Sequence, residues 1–203
     1  MRIKKIASEC KARKRAVLWD VVDADGVCRQ WICTGVAAYP VDGMPYLKVD
    51  NLPALLSLSE KEREKIRMEK GEKPDSFDLR DASADEATAA DMSLTIQSGD
   101  KVLMPVIARG RTYMIDGATL VPIVSEYKLA MLYLRETATG RKYFVAKNGL
   151  LVVGLVMPMF QMEELCRTLE TLGSSYHGDE CPEELAEPED DEDGELDGQE
   201  ELT

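Results

Sequence analysis

The chain of 203 residues carries a formal charge of −13, from 38 acids and 25 bases, and 44% of it is apolar. The acids are gathered at one end: from Asp179 onward there are 14 with no Lys or Arg, leaving 24 acids against all 25 bases in the rest. The near-neutral body is long enough to bury a core of ordinary size. The only histidine, His177, stands at the mouth of the acid segment, so the commonest general base is missing from the expected folded part.

Residues 3 to 12 are predicted as an amphipathic helix, because Ile3, Ile6, Ala7 and Cys10 recur at helical spacing. Ala16 to Val22 and Val27 to Ala38 follow as β runs about an Asp25-Gly26 turn. Asp42-Gly43 marks another turn, and Tyr46 to Val49 a short strand. Ser59 and Glu62 form a capping box that opens a charged helix expected to reach about Lys70. Residues 71–90 are poor in large apolar side chains and are expected to be a linker, with a helical turn at Ala84 to Ala90.

Ser93 to Gln97, Val102 to Ala108, Thr112 to Ile115, Leu129 to Glu136, Lys142 to Ala146 and Leu150 to Met157 are predicted strands. Asp116-Gly117, Thr139-Gly140 and Asn148-Gly149 are expected as their turns, which makes the last three strands an antiparallel meander. Leu150 to Met157 is apolar on both faces, so it is expected to be central or to pair across an interface. Met162, Leu165, Cys166, Leu169 and Leu172 predict a helix ending at Gly173. The expected organisation is an α+β body, mostly antiparallel sheet, divided as 1–70, a linker at 71–90, 91–173 and a disordered acidic segment at 174–203. Asp-Gly turns within 38–46 and 113–123 fit either a chance likeness or an internal duplication.

The sequence holds no dinucleotide fingerprint, phosphate-binding loop, nucleophile elbow or zinc-protease motif, so no catalytic residue, cofactor or metal site is assigned. Asp20 with Asp23, and Glu163 with Glu164, are acid pairs of the kind acid–base chemistry uses, but surface solvation explains such pairs far more often. Five cysteines, an odd number without framework spacing, argue for reduced thiols; Cys28 and Cys33 lie on opposite faces of a strand. The apolar runs before Trp19 are too short for a signal or spanning segment, so a cytoplasmic location away from membranes is expected.

Lys4, Lys5, Lys11, Arg13, Lys14 and Arg15, with Arg2, are opposed in their window only by Glu9. Such a run can follow the phosphates of duplex DNA, or it can be a solvated helix face. The acid segment can act as a solubilising tail or compete with DNA for that basic face.

The stretch Leu150-Leu-Val-Val-Gly-Leu-Val-Met-Pro-Met159, a helix before paired strands, and Asp-Gly before a proline-bearing strand together resemble the bacterial DNA polymerase processivity clamp. In that family repeated α/β units close a ring, basic helices face duplex DNA, and apolar grooves take partner peptides. The resemblance implies two clamp-like repeated halves, with Lys4, Lys5 and Lys11 facing DNA, Met157, Pro158 and Met159 lining a peptide groove, and self-association into an oligomer. Clamp chains hold three such domains and stop soon after Met-Pro-Met, whereas here Phe160-Gln161, a helix and the acid segment follow. Two functions are therefore carried forward: a non-enzymatic, clamp-like DNA-associated factor, and an acidic protein–protein adaptor that leaves DNA alone.

Overall fold

The computed structural model describes residues 2–22 and 26–176. His177, Cys181, the acid segment and positions 23–25 of the first turn lie outside these residues. Helix α1 (Arg2–Arg13) turns Ile6, Ala7 and Cys10 to the core. Lys14 then takes a left-handed backbone, φ 53°, which stops the helix and feeds the chain straight into β1 (Arg15–Val22). β2 (Cys28–Cys33) and β3 (Ala37–Pro40) complete a meander. The run expected from Val27 to Ala38 is split in two by a turn at Thr34-Gly35, where Gly35 has φ 93°.

Tyr46 to Val49 is not a strand; a 3₁₀ turn at Val49–Asn51 leads instead into α2 (Leu52–Leu55). The Ser59–Glu62 capping box forms as expected, with Ser59 N and Oγ both donating to Glu62 Oε2, but it caps a single turn, α3 (Glu60–Arg63). The segment expected to continue that helix is β4 (Arg67–Gly71), which pairs in parallel with β1 from Arg15↔Arg67 onward. Tertiary pairing here overrides the helix propensity of a Glu/Lys/Arg-rich run. After it come β5 (Ala87–Thr88), in place of the expected helical turn, then β6 (Ala90–Asp91), β7 (Ile96–Ser98), β8 (Lys101–Ala108) and β9 (Arg111–Asp116).

Asp116-Gly117 is a helix start rather than a hairpin joint. Asp116 Oδ1 accepts from Ala118 N and caps α4 (Gly117–Val124), a helix the sequence reading missed. β10 (Met131–Glu136), β11 (Lys142–Asn148) and β12 (Leu151–Val156) form the expected meander, and α5 (Glu163–Tyr176) runs past Gly173.

The large sheet has the order β4-β1-β2-β3-β12-β11-β10-β5, and a second sheet joins β6, β7 and β9 to β8. β12 is central, as its two apolar faces require, and it is paired on both edges, by β3 and β11, so it offers no edge to a second molecule. Around the antiparallel β3–β12 pair the chain repeats itself. The unit α1-β1-β2-β3 faces α4-β10-β11-β12 about an approximate two-fold axis, with α1 and α4 packed together on one face of the sheet. This repeat is not the one suggested by the Asp-Gly turns, since Asp42-Gly43 follows a strand while Asp116-Gly117 opens a helix.

Beneath the helices a core takes Leu18, Ile32, Tyr39, Phe144, Val153 and Val156 from the large sheet and Ile115 from the small one. A register shift between Ala146 and Lys147 bulges β12, and Gly154 sits under Ile123 of α4 so closely that a Cβ there would lie 2.5 Å from Ile123 Cδ1. The bulge leaves backbone groups for side chains to satisfy. Arg2 donates to Val153 O, Arg29 Nη1 to Val152 O at 2.8 Å, and Val152 N to Asp81 Oδ1 at 2.9 Å.

The opposite face buries Val17, Trp19, Trp31, Val145, Leu155 and Met157. Residues 72–86, within the stretch expected as a linker, cross this face as an irregular strap whose Phe77 and Leu79 pack on it. Buried charges fasten the strap: Glu86 accepts from Arg135 at 3.0 and 2.5 Å and from Lys147 at 2.6 Å, while Arg135 Nη1 donates to Asp78 O and Arg80 O, both at 2.9 Å. Burial alone would raise the Glu86 pKa, but these two cations hold it below the usual range.

Candidate nucleic-acid face and peptide groove

The basic start of the chain is divided between internal work and solvent. Arg2, buried, donates to the bulged β12 and stacks over the Tyr127 ring at 5.1 Å, beyond the last turn of α4. At the other end of α1, Arg13 donates to Asp116, the N-cap of α4, and to Glu9 at 3.5 Å. The two arginines thus fix α1 antiparallel to α4. Burial raises the Glu9 pKa, with Arg13 offsetting part of that rise. Lys11 pairs with Glu62 at 2.9 Å and Arg15 with Glu69 at 3.1 Å.

Of the six cations singled out in the sequence, Lys4, Lys5 and Lys14 are exposed and make no ion pair among the described residues. Lys4 and Lys5 occupy the first turn and a half of α1, which contains no acid, so they oppose the helix dipole. The outward side of α4 beside them is neutral: Ala118 is exposed, with Val121 at 39% and Val124 at 49% of full exposure.

The peptide-site residues separate. Met157 points into the strap-covered face, while Pro158 and Met159 line a groove of about 610 Å³ between β9, the β10–β11 turn and α5. Tyr113, Met114 and Cys166 complete its apolar floor. Met159 N donates to Met114 O at 2.8 Å, carrying the chain across from β12 to β9. Glu170 of α5 accepts from Thr112 N at 2.5 Å, tying the helix to the start of β9. Phe160, 46% exposed, forms a lip under the guanidinium of Arg141 at 5.6 Å. Arg111, Lys142 and Arg167 stand on the walls. Sequence reasoning overlooked these cations; their only signal was that Arg111 and Arg141 each follow a glycine of a turn.

Asp20, one of the candidate acid–base residues, lies in an ion-pair network. Burial would raise its pKa, but hydrogen bonds from Lys70 and Tyr46, at 2.7 and 2.6 Å, and from Gln30 take it down to about 2. Cys28 is exposed and Cys33 buried, on opposite sides of β2, and no group of three or more metal-ligating side chains exists among the described residues. No helix of the described residues is long and apolar enough to cross a membrane. Comparison with protein-family models, curated proteins and solved structures returns no match, so the geometry of these two surfaces carries the functional reading.

Proposed function

We propose that the protein is a non-enzymatic, clamp-like factor that contacts the backbone of duplex DNA through α1 and takes partner peptides in the groove beside Pro158 and Met159. The observation that carries this reading is the outward face of α1. Lys4 and Lys5 stand there without acidic partners and against the helix dipole, an arrangement that costs helix stability and is relieved when phosphates approach. The paired helices on one face of a continuous sheet, repeated about a two-fold axis, agree in outline with the clamp architecture that the Met-Pro-Met strand resembles.

Three exposed cations imply weak, steeply screened binding. For the full chain and a fluorescent duplex, anisotropy should give a log K against log salt slope of about −3 per protomer. The triple variant Lys4→Glu/Lys5→Glu/Lys14→Glu should abolish the association. Binding that the triple variant leaves intact would overturn the reading.

A second reading, an adaptor that does not touch DNA, is favoured by the ion pairs of Lys11, Arg13 and Arg15 with Glu62, Asp116 and Glu69, which already engage half of the expected basic run. Absence of duplex binding at the lowest salt selects it.

A further inference from the structure

We infer that the groove between β9 and α5 is occupied by the chain's own acidic segment, residues 177–203. The groove has an apolar floor, and its walls carry Arg111, Lys142 and Arg167 beside Glu163 and Glu170; Glu170 is engaged by Thr112 N and Lys142 by Glu136. Two guanidinium groups of its walls and one outside its lip lack a close carboxylate partner: Arg111, and Arg141 over the Phe160 ring, have none among the described residues, and Arg167 reaches only Glu163, at 3.9 Å, with both side chains about three-quarters exposed. Phe160 adds exposed aromatic surface at the lip. A fitting ligand is therefore acidic and carries intermittent apolar side chains.

The segment that follows α5 has that chemistry. It holds 14 acids and no base, with Leu185, Leu196 and Leu202 spaced among them. It also starts in the right place, because α5 forms one wall of the groove and ends at Tyr176. From Glu163 to Tyr176 the helix rises about 20 Å, a distance that about six extended residues retrace, and 27 follow. A ligand tethered this closely is present at an effective concentration on the order of millimolar, so a weak site suffices to hold it. The cations of α1 are the competing destination for the segment, but the surface beside them, exposed Ala118, Val121 and Val124 of α4, has no aromatic lip. Exclusion of partner peptides by this occupant rests on the proposed function; the docking itself does not.

The test uses a labelled synthetic peptide copying residues 179–203, titrated by anisotropy against the full chain and against a full-length variant whose acids beyond position 178 are replaced by Asn and Gln. With the groove vacated in the variant, the peptide should bind it about tenfold more tightly than the native chain. Adding Arg111→Glu/Arg141→Glu/Arg167→Glu should abolish that binding while leaving the melting temperature in place. Equal affinity for native and neutralised chains, or no binding to either, would overturn the inference. So would binding lost on Lys4→Glu/Lys5→Glu/Lys14→Glu instead, which would put the segment on α1. DNA takes no part in the experiment, so failure of the DNA reading and failure of this one are separable.

Discussion

Gly154 shows how one missing Cβ sets a helix on a sheet. The β12 bulge turns Val153 and Gly154 toward α4, and Ile123 packs into the space an alanine methyl would need. Gly154→Ala should overpack the contact and destabilise the protein by about 1–3 kcal/mol, lowering Tm by about 2–12 °C. Ile123→Ala is costly alone, yet it should be partly compensated in the double variant, so the measured coupling differs from zero. Additive losses would mean that α4 shifts freely. None of this was readable beforehand: a glycine within an apolar run signals a bulge or a close approach without saying which element approaches.

At the level of elements, the strap depends on charge. Asp78 is held at about 2 chiefly by hydrogen bonds from Arg80, and Glu86 is held low by Lys147 and Arg135. Carboxylates with depressed pKa values in the folded state contribute stability that is present above their unfolded values, near 4, and is lost as pH falls through the folded ones. The strap should therefore loosen between about pH 4.5 and 2. Both tryptophans of the chain, Trp19 and Trp31, lie on the face it covers, so a red shift in emission over that window reports its release. In Glu86→Gln the shift should begin at higher pH; an unchanged profile would show that Phe77 and Leu79 alone keep the strap in place.

The elements legible from sequence were those whose signals are local. The Thr139-Gly140 and Asn148-Gly149 turns, the apolar β12 and the amphipathic α1 all stand where periodicity and turn chemistry put them. β4 was misread because its strand character comes from β1, a non-local partner, and because Gly71 is required only by Val17, whose Cγ1 would lie 2.6 Å from an added Cβ. α4 was hidden by its brevity and by Pro122, which forfeits a helical hydrogen bond. Likewise, no sequence pattern says that Arg13 meets Asp116 across 103 positions, so the ion pairs made by Lys11, Arg13 and Arg15 could not be read beforehand.

For the molecule as a whole, the β3–β12 pair joins both units into one sheet, and a single core draws on each. Unfolding in urea should then give one transition, coincident by circular dichroism and by tryptophan emission. Two separated transitions would show that the units fold independently despite the shared sheet. The approximate axis between the units has a further consequence. Its symmetry holds for the backbone and fails for charge, because α1 presents Lys4 and Lys5 where α4 presents Ala118, Val121 and Val124. A scaffold whose dyad is broken in this way has a front and a back, so whatever lies along the helix pair is held in one direction and not the reverse.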